Sequence, residues 1–148
     1  MLELPHPKYF EGILQLRDCK PEVQEWVLEQ NRKDKRNIIT KAKKVRGGVD
    51  LYFSSQKYLR SLGKRLHENL EGEYKQTRTL HTVSKKTGKP LYRVTVMFRQ
   101  YPFSKGDVVR YKGDKYQVLS CGNQIRVQNT ETGKKRLIKT EEIKYVRT

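Results

Sequence analysis

The stretch Gly47–Leu66, GGVDLYFSSQKYLRSLGKRL, joins a double-glycine turn, a short strand, a Ser-led helix start and a basic helix. Val49, Leu51 and Phe53 fall on one face of the strand, while Leu59, Leu62, Leu66 and Leu70 recur on one helical stripe. Both apolar faces point to one core. The opposite helix stripe carries Lys57, Arg60 and Lys64 at three- and four-residue spacing, so the element that anchors the fold also displays a row of cations. Such a row needs an anionic partner or water.

Working outward, Phe10, Gly12, Leu14 and Leu16 alternate with Glu11, Ile13, Gln15 and Arg17, the pattern of a strand with one apolar face. Pro21 suits a first helical position, and Val23, Trp26 and Val27 form the stripe of a helix ending near Asn31 or Arg32, with Trp26 expected in the core. Asn37 to Val45 is β-prone and stops at Arg46-Gly47-Gly48. After the central helix, Tyr74 to Val83 and Leu91 to Arg99 read as the arms of a hairpin tipped by Lys85, Lys86 and Lys89. In the second arm Tyr92, Val94, Val96 and Phe98 make the core face, leaving Arg93, Thr95 and Arg99 on the other. The order β-α-β-β-α-β-β predicts an α+β two-layer sandwich with both helices on one face. The strand order stays open.

Helical periodicity disappears at Gln100-Tyr101-Pro102, which places a domain boundary between residues 1–100 and 101–148. Turn signals at Lys112-Gly113-Asp114, Cys121-Gly122-Asn123 and Glu131-Thr132-Gly133 divide the second part into Val108–Tyr111, Tyr116–Ser120, Gln124–Asn129 and Lys135–Lys139. A last strand, Ile143–Val146, can close the sheet. Five short strands in this span suit a small partly closed SH3-like β-barrel.

The chain of 148 residues holds 33 Lys and Arg against 16 Asp and Glu, a net charge of +17. The excess is shared: residues 1–100 carry 22 bases and 11 acids, and residues 101–148 carry 11 and 5. Such a field favours nucleic acid through counterion release, with a membrane surface as the second candidate. No apolar run approaches the roughly 18 residues of a spanning helix, and no N-terminal signal stands out. The chain therefore reads as soluble and intracellular, and a cytoplasmic monomer is the expectation. Cys19 and Cys121, without a CxxC pair, suggest reduced thiols and neither a disulfide framework nor a zinc finger.

Between Arg32 and Arg46 eight bases stand within 15 residues, interrupted only by Asp34. Lys41, Lys43, Lys44 and Arg46 from this run, the helix stripe of Lys57, Arg60 and Lys64, and Arg78 and Arg93 form candidate RNA contacts. Lys85, Lys86 and Lys89 at the hairpin tip, and Lys134, Lys135, Arg136 and Lys139 in the second part, complete the set. Flexible lysines suffice for RNA read by shape and backbone. The Arg32–Arg46 run has a solvated loop and strand face as its alternative reading, and the two basic tips have solubility and protection of a strand edge as theirs. Tyr52, Tyr58, Tyr92 and Tyr101 could stack on unpaired bases, against the more frequent half-burial of this residue. His6, His67 and His81 are scattered, with no triad or metal spacing, and neither a GxxxxGK[ST] loop nor a GxGxxG turn occurs. The expectation is a non-enzyme without metal or cofactor.

Three blocks, Tyr9-Phe10-Glu11-Gly12-Ile13-Leu14-Gln15-Leu16-Arg17, Gly48-Val49-Asp50-Leu51-Tyr52-Phe53-Ser54-Ser55 and Lys75-Gln76-Thr77-Arg78-Thr79-Leu80, resemble the large-ribosomal-subunit nuclear export adaptor family in its archaeal form. These are the proteins named after the third nonsense-mediated-decay locus. The middle block is the most specific. Phe103 to Val109, FSKGDVV, is similar to the opening of the same family's initiation-factor-5A-like domain. The resemblance implies binding to the large subunit at its intersubunit face, through rRNA near the tRNA sites and adjoining ribosomal proteins. In archaea the implied task is late maturation, the blocking of premature subunit joining, or quality control. Family members begin with paired-cysteine zinc modules, which Cys19 and Cys121 cannot build, so the chain reads as a fragment or a shortened member. The Thr130–Lys134 turn lacks the Gly- and His-flanked environment of the modified factor-5A lysine, so no such modification is expected at Lys134. The competing readings are a general RNA-binding or transcription-associated barrel protein, and an adaptor whose barrel binds protein.

Overall fold

The structure is a computed structural model that describes residues 4–148. Its elements follow the expected order: β1 (Gly12–Arg17), α1 (Pro21–Lys33), β2 (Ile39–Val45), β3 (Gly48–Phe53), α2 (Gln56–Asn69), β4 (Gly72–Val83) and β5 (Pro90–Gln100). The strand order, open from sequence, is β2-β3-β1-β5-β4. β1 sits at the centre, antiparallel to β3 and parallel to β5, so the α2 crossover carries the chain from one side of β1 to the other.

One face of this sheet is apolar. Leu14 and Leu16, Val49, Leu51 and Phe53, and Val94, Val96 and Phe98 join Val23 and Val27 of α1 and Tyr58, Leu59, Leu62 and Leu66 of α2 in a single core. Because both helices feed the core from that side, the other sheet face has no helix layer over it among the described residues. Trp26, expected inside, is only half-buried; it packs against the edge of the core with the Arg65 guanidinium over its ring.

The entry into α2 is fixed locally. Ser55 accepts a hydrogen bond from the Tyr58 amide at 3.2 Å, and the Glu11 carboxylate accepts one from the Gln56 amide at 2.9 Å. Two of the helix's unpaired amides are thereby satisfied by side chains, one carrying the negative charge that the N-terminal dipole favours. The turn before β3 is equally constrained: Gly47 has φ +81°, and a Cβ on Gly48 would stand 1.8 Å from the Leu16 carbonyl oxygen. Only glycine lets β1 and β3 approach there.

Residues from Tyr101 onward build a second core. β6 (Val108–Tyr111), β7 (Asp114–Cys121), β8 (Gln124–Asn129) and β9 (Lys135–Lys139) form an antiparallel sheet in that order. Its core gathers Tyr101, Phe103, Val109, Tyr111, Tyr116, Val118, Ile125, Val127, Ile138 and Val146. The expected fifth strand does not form, and the four strands make an open sheet with no barrel closure. Thr140–Tyr145 is a 3-10 helix instead, and only an isolated bridge, Arg110 to Arg147, reaches the β6 edge. The reason lies in Glu141 and Glu142: both stand in the first helical turn, where negative charge is favourable, and the Tyr111 hydroxyl donates to Glu142. A continuous strand would give up that geometry.

The two sheets meet through hydrogen bonds from the β4 end. The Tyr74 amide donates to Asn123 Oδ1 at 2.9 Å, and the Tyr101 amide to the Glu71 carbonyl at 3.1 Å. The Tyr101 hydroxyl, pushed well above its ordinary pKa by burial, donates to the Gly122 carbonyl.

Candidate nucleic-acid interface

Strand register converts the sequence into rows across the uncovered face of the first sheet. One row runs Lys41, Tyr52, Ile13, Thr95, Thr77, and the next runs Lys43, Asp50, Gln15, Met97, Lys75. At strand spacings of about 4.8 Å, five strands span roughly 19 Å, a width that places Lys43 and Lys75 at opposite margins of one surface. The third row, Val45, Gly48, Arg17, Arg99, Glu73, carries the two arginines that engage the nearby acids. Arg17 meets Asp50 at 2.7 Å, and Arg99 meets Asp18 at 2.6 Å and Glu73 at 4.0 Å. The face's acids are thus engaged by its arginines, while Lys41, Lys43 and Lys75 are exposed and make no ion pair among the described residues.

At the end of the face nearest the start of β1, aromatic and cationic groups interleave. The Arg93 guanidinium lies 3.8 Å from the centroid of Phe10, Phe10 meets Tyr52 edge-to-face at 4.9 Å, and the Lys41 ammonium stands 5.2 Å from the Tyr52 ring. Beside them, the Tyr9 hydroxyl donates to Glu11, and burial, reinforced by that carboxylate, pushes its pKa up to about 12. Tyr9 thus stays neutral and holds the carboxylate that caps α2.

The expected contacts divide among several surfaces. Lys41, Lys43 and Arg93 share the uncovered face, and Lys75, absent from the expected set, joins them. Lys44 alternates to the other side of edge strand β2, beside the start of α1, and Arg46 projects from the following turn. Lys57, Arg60 and Lys64 are exposed on α2, on the opposite side of the sheet from Lys41 and Lys43. Arg78 also alternates to the helix side, where its guanidinium lies 4.3 Å from the Tyr92 ring. Lys85, Lys86 and Lys89 occupy a tip that projects beyond the sheet, because β5 gains β1 as a neighbour only from Val94 onward. In the second sheet Lys134, Lys135, Arg136 and Lys139 are exposed, and Arg136 lays its guanidinium over the Tyr111 ring at 5.0 Å. Its guanidinium is raised above its ordinary pKa chiefly by a hydrogen bond with Tyr116.

Of the tyrosines weighed for stacking, Tyr58 and Tyr101 are buried, which removes them as base platforms; Tyr52 and Tyr92 are half-buried at the surface. Phe10 and Lys75 escaped sequence reasoning. Period-two alternation from Thr77 could have assigned Lys75 to the polar face, but Phe10 gains its role only from the parallel β1–β5 register.

The remaining chemistry is sparse. Among the described residues no group of three or more His, Cys, Asp and Glu side chains gathers to hold a metal. Cys19 and Cys121 are free, and burial raises both thiols, Cys121 to about 11. No described helix is long and apolar enough to cross a membrane.

Comparison with known proteins bears on the same region. No curated protein matches the chain. The family model described as NMD3, second domain, matches residues 9–99, which spans α1, α2 and the whole five-stranded sheet. The match covers well over half the chain and includes all three blocks that carry the sequence resemblance. The protein therefore belongs to the NMD3 family of ribosome-related export adaptors.

Proposed function

We propose that this protein is a non-catalytic large-ribosomal-subunit binder acting in subunit maturation or quality control, in the cytoplasm of an archaeon, and holding rRNA near the tRNA sites. The reading rests on family membership together with one observation. The uncovered sheet face keeps its lysines free while its acids are consumed by neighbouring arginines. Free lysines on a broad, shallow face suit phosphate contacts to folded RNA, whose affinity comes from counterion release and shape.

Residues up to Gln100 form the RNA-binding domain in this proposal, and residues from Tyr101 form an SH3-like module similar to initiation factor 5A. Lys41, Lys43, Lys75 and Arg93 make the main contact. The hairpin tip of Lys85, Lys86 and Lys89, and Lys134, Lys135 and Lys139 of the second sheet, extend it to neighbouring phosphates. Lys44, Arg46, Lys57, Arg60, Lys64, Arg78 and Arg136 contribute to the long-range field that steers encounter. The protein acts as a monomer.

Co-sedimentation with purified large subunits, small subunits and a random RNA duplex tests the reading. Retention on large subunits above the other two is expected, with steep weakening as salt rises. Equal retention on all three would leave a general RNA-binding protein and defeat the ribosomal assignment.

A further inference from the structure

A phosphate-gripping surface needs only lysines, yet the uncovered face also carries an organised aromatic row. Lys41, Tyr52, Phe10 and Arg93 follow one another from edge strand β2 across to β5, at 5.2, 4.9 and 3.8 Å in successive contacts. Arg93 is the unusual member. It makes no ion pair among the described residues, and its Nε is buried without a hydrogen-bond partner. The Phe10 ring backs its guanidinium plane at 3.8 Å. Arginines elsewhere on this face, Arg17 and Arg99, are spent on carboxylates. Thr95, Thr77 and Ile13 continue the face toward β4 without charge, and the neighbouring acid, Glu11, is engaged by the Tyr9 hydroxyl and the Gln56 amide.

We propose that this row is a binding site for unpaired RNA nucleotides. Bases stack on the Arg93 guanidinium and on the Tyr52 ring, while the intervening phosphates meet Lys41, Lys43 and, at the far margin, Lys75. Guanidinium planes and aromatic rings accept any base face, so the site selects strand state above sequence. A duplex, whose bases are already stacked on each other, can use only the lysines. The site thus takes single-stranded segments or looped-out bases; this rests on the RNA-binding reading above and adds the kind of RNA.

The test compares two labelled probes by fluorescence anisotropy: an oligouridylate of about twelve nucleotides, within the footprint of such platforms, and a hairpin duplex with the same number of phosphates. The native protein is expected to prefer the single strand. Arg93→Lys, which keeps the charge and removes the plane, and Tyr52→Leu should each weaken single-strand binding roughly five- to tenfold, with duplex binding unchanged. Unchanged single-strand affinity in both variants, or equal losses on both probes, overturns the proposal. Should either variant unfold, Tyr52→Trp in a Trp26→Phe background gives a second readout. Quenching of the introduced indole by the oligouridylate but not by the duplex is expected, and no quenching by either overturns the site. Large-subunit co-sedimentation run alongside separates the two claims. Retention on subunits with no strand preference sinks the stacking site alone, whereas loss of retention in the native protein sinks the reading beneath it.

Discussion

The two sheets solve the same burial problem differently. The first has two helices that close one face, and the other face is left free for a polar, cationic surface of about five strands' width. The second has no helix longer than the Thr140–Tyr145 turn, so it must bury its own inner face by curling around Tyr101, Phe103, Tyr111 and Tyr116. Its exposed cations are spread over all four strands, Arg110 on β6, Lys115 on β7, Arg126 on β8 and Lys135 and Lys139 on β9, while Tyr111 and Tyr116 of its sheet are buried in the core. A sheet covered by helices can spend aromatic side chains such as Tyr52 on its outer face; a self-covering one buries them.

Truncation in the cores gives the largest effects and asks whether the two units are separate. Phe98→Ala should cost about 3–5 kcal/mol and Ile138→Ala about 2–5 kcal/mol, since both side chains are fully buried. In chemical denaturation followed by Trp26 fluorescence, Phe98→Ala should shift the transition strongly and Ile138→Ala weakly, because the only tryptophan reports on the first unit. Equal shifts would mean one cooperative fold and break the contrast. Gly48→Ala comes next, at about 3 kcal/mol, from the forced separation of β1 and β3, read as a lower denaturation midpoint.

Charge reversal sharpens the functional side of the contrast. Lys41→Glu, Lys43→Glu and Lys75→Glu together should weaken large-subunit binding at least tenfold and flatten its salt dependence, each lysine removed lowering the slope by about one. The same number of reversals at Lys134, Lys135 and Lys139 should cost less. Arg17→Gln, which strips a largely buried Asp50 of its partner, should reduce stability by about 2 kcal/mol and weaken binding by leaving an unpaired carboxylate on the uncovered face.

The smallest effect concerns Cys121. Burial raises its thiol to about 11, so the folded state favours the neutral form. Its stabilising contribution is complete below the ordinary thiol range and fades as pH climbs toward 11. Alkylation at pH 8 should therefore be slow in the native protein and fast after unfolding, measured by mass spectrometry.

Much of the first unit was legible because its elements have clean periodicities: Leu59, Leu62 and Leu66 on one helix stripe, Val94, Val96 and Phe98 on one strand face. Strand order was not, since the parallel pairing of β1 with β5 depends on where α2 deposits the chain, a tertiary fact with no local signal. That gap concealed the site. Lys41, Lys43 and Arg93 could be named from charge, but Lys43 and Lys44 look equivalent in sequence and lie on opposite sides of β2. Phe10, read as one of a strand's apolar residues, lies outside the main core and supports Arg93. In the second unit the apolar run Ile143–Val146 suggested a strand, while Glu141 and Glu142, favoured in a first helical turn, decided for the 3-10 helix.

Lysine footprinting on the native large subunit tests the central claim most directly. The protein, free and bound, is acylated briefly and each lysine's modification is read by mass spectrometry. Protection of Lys41, Lys43 and Lys75, with Lys57 and Lys64 on α2 still reactive, is the predicted pattern. Protection of the α2 lysines with the uncovered face left reactive would contradict the account.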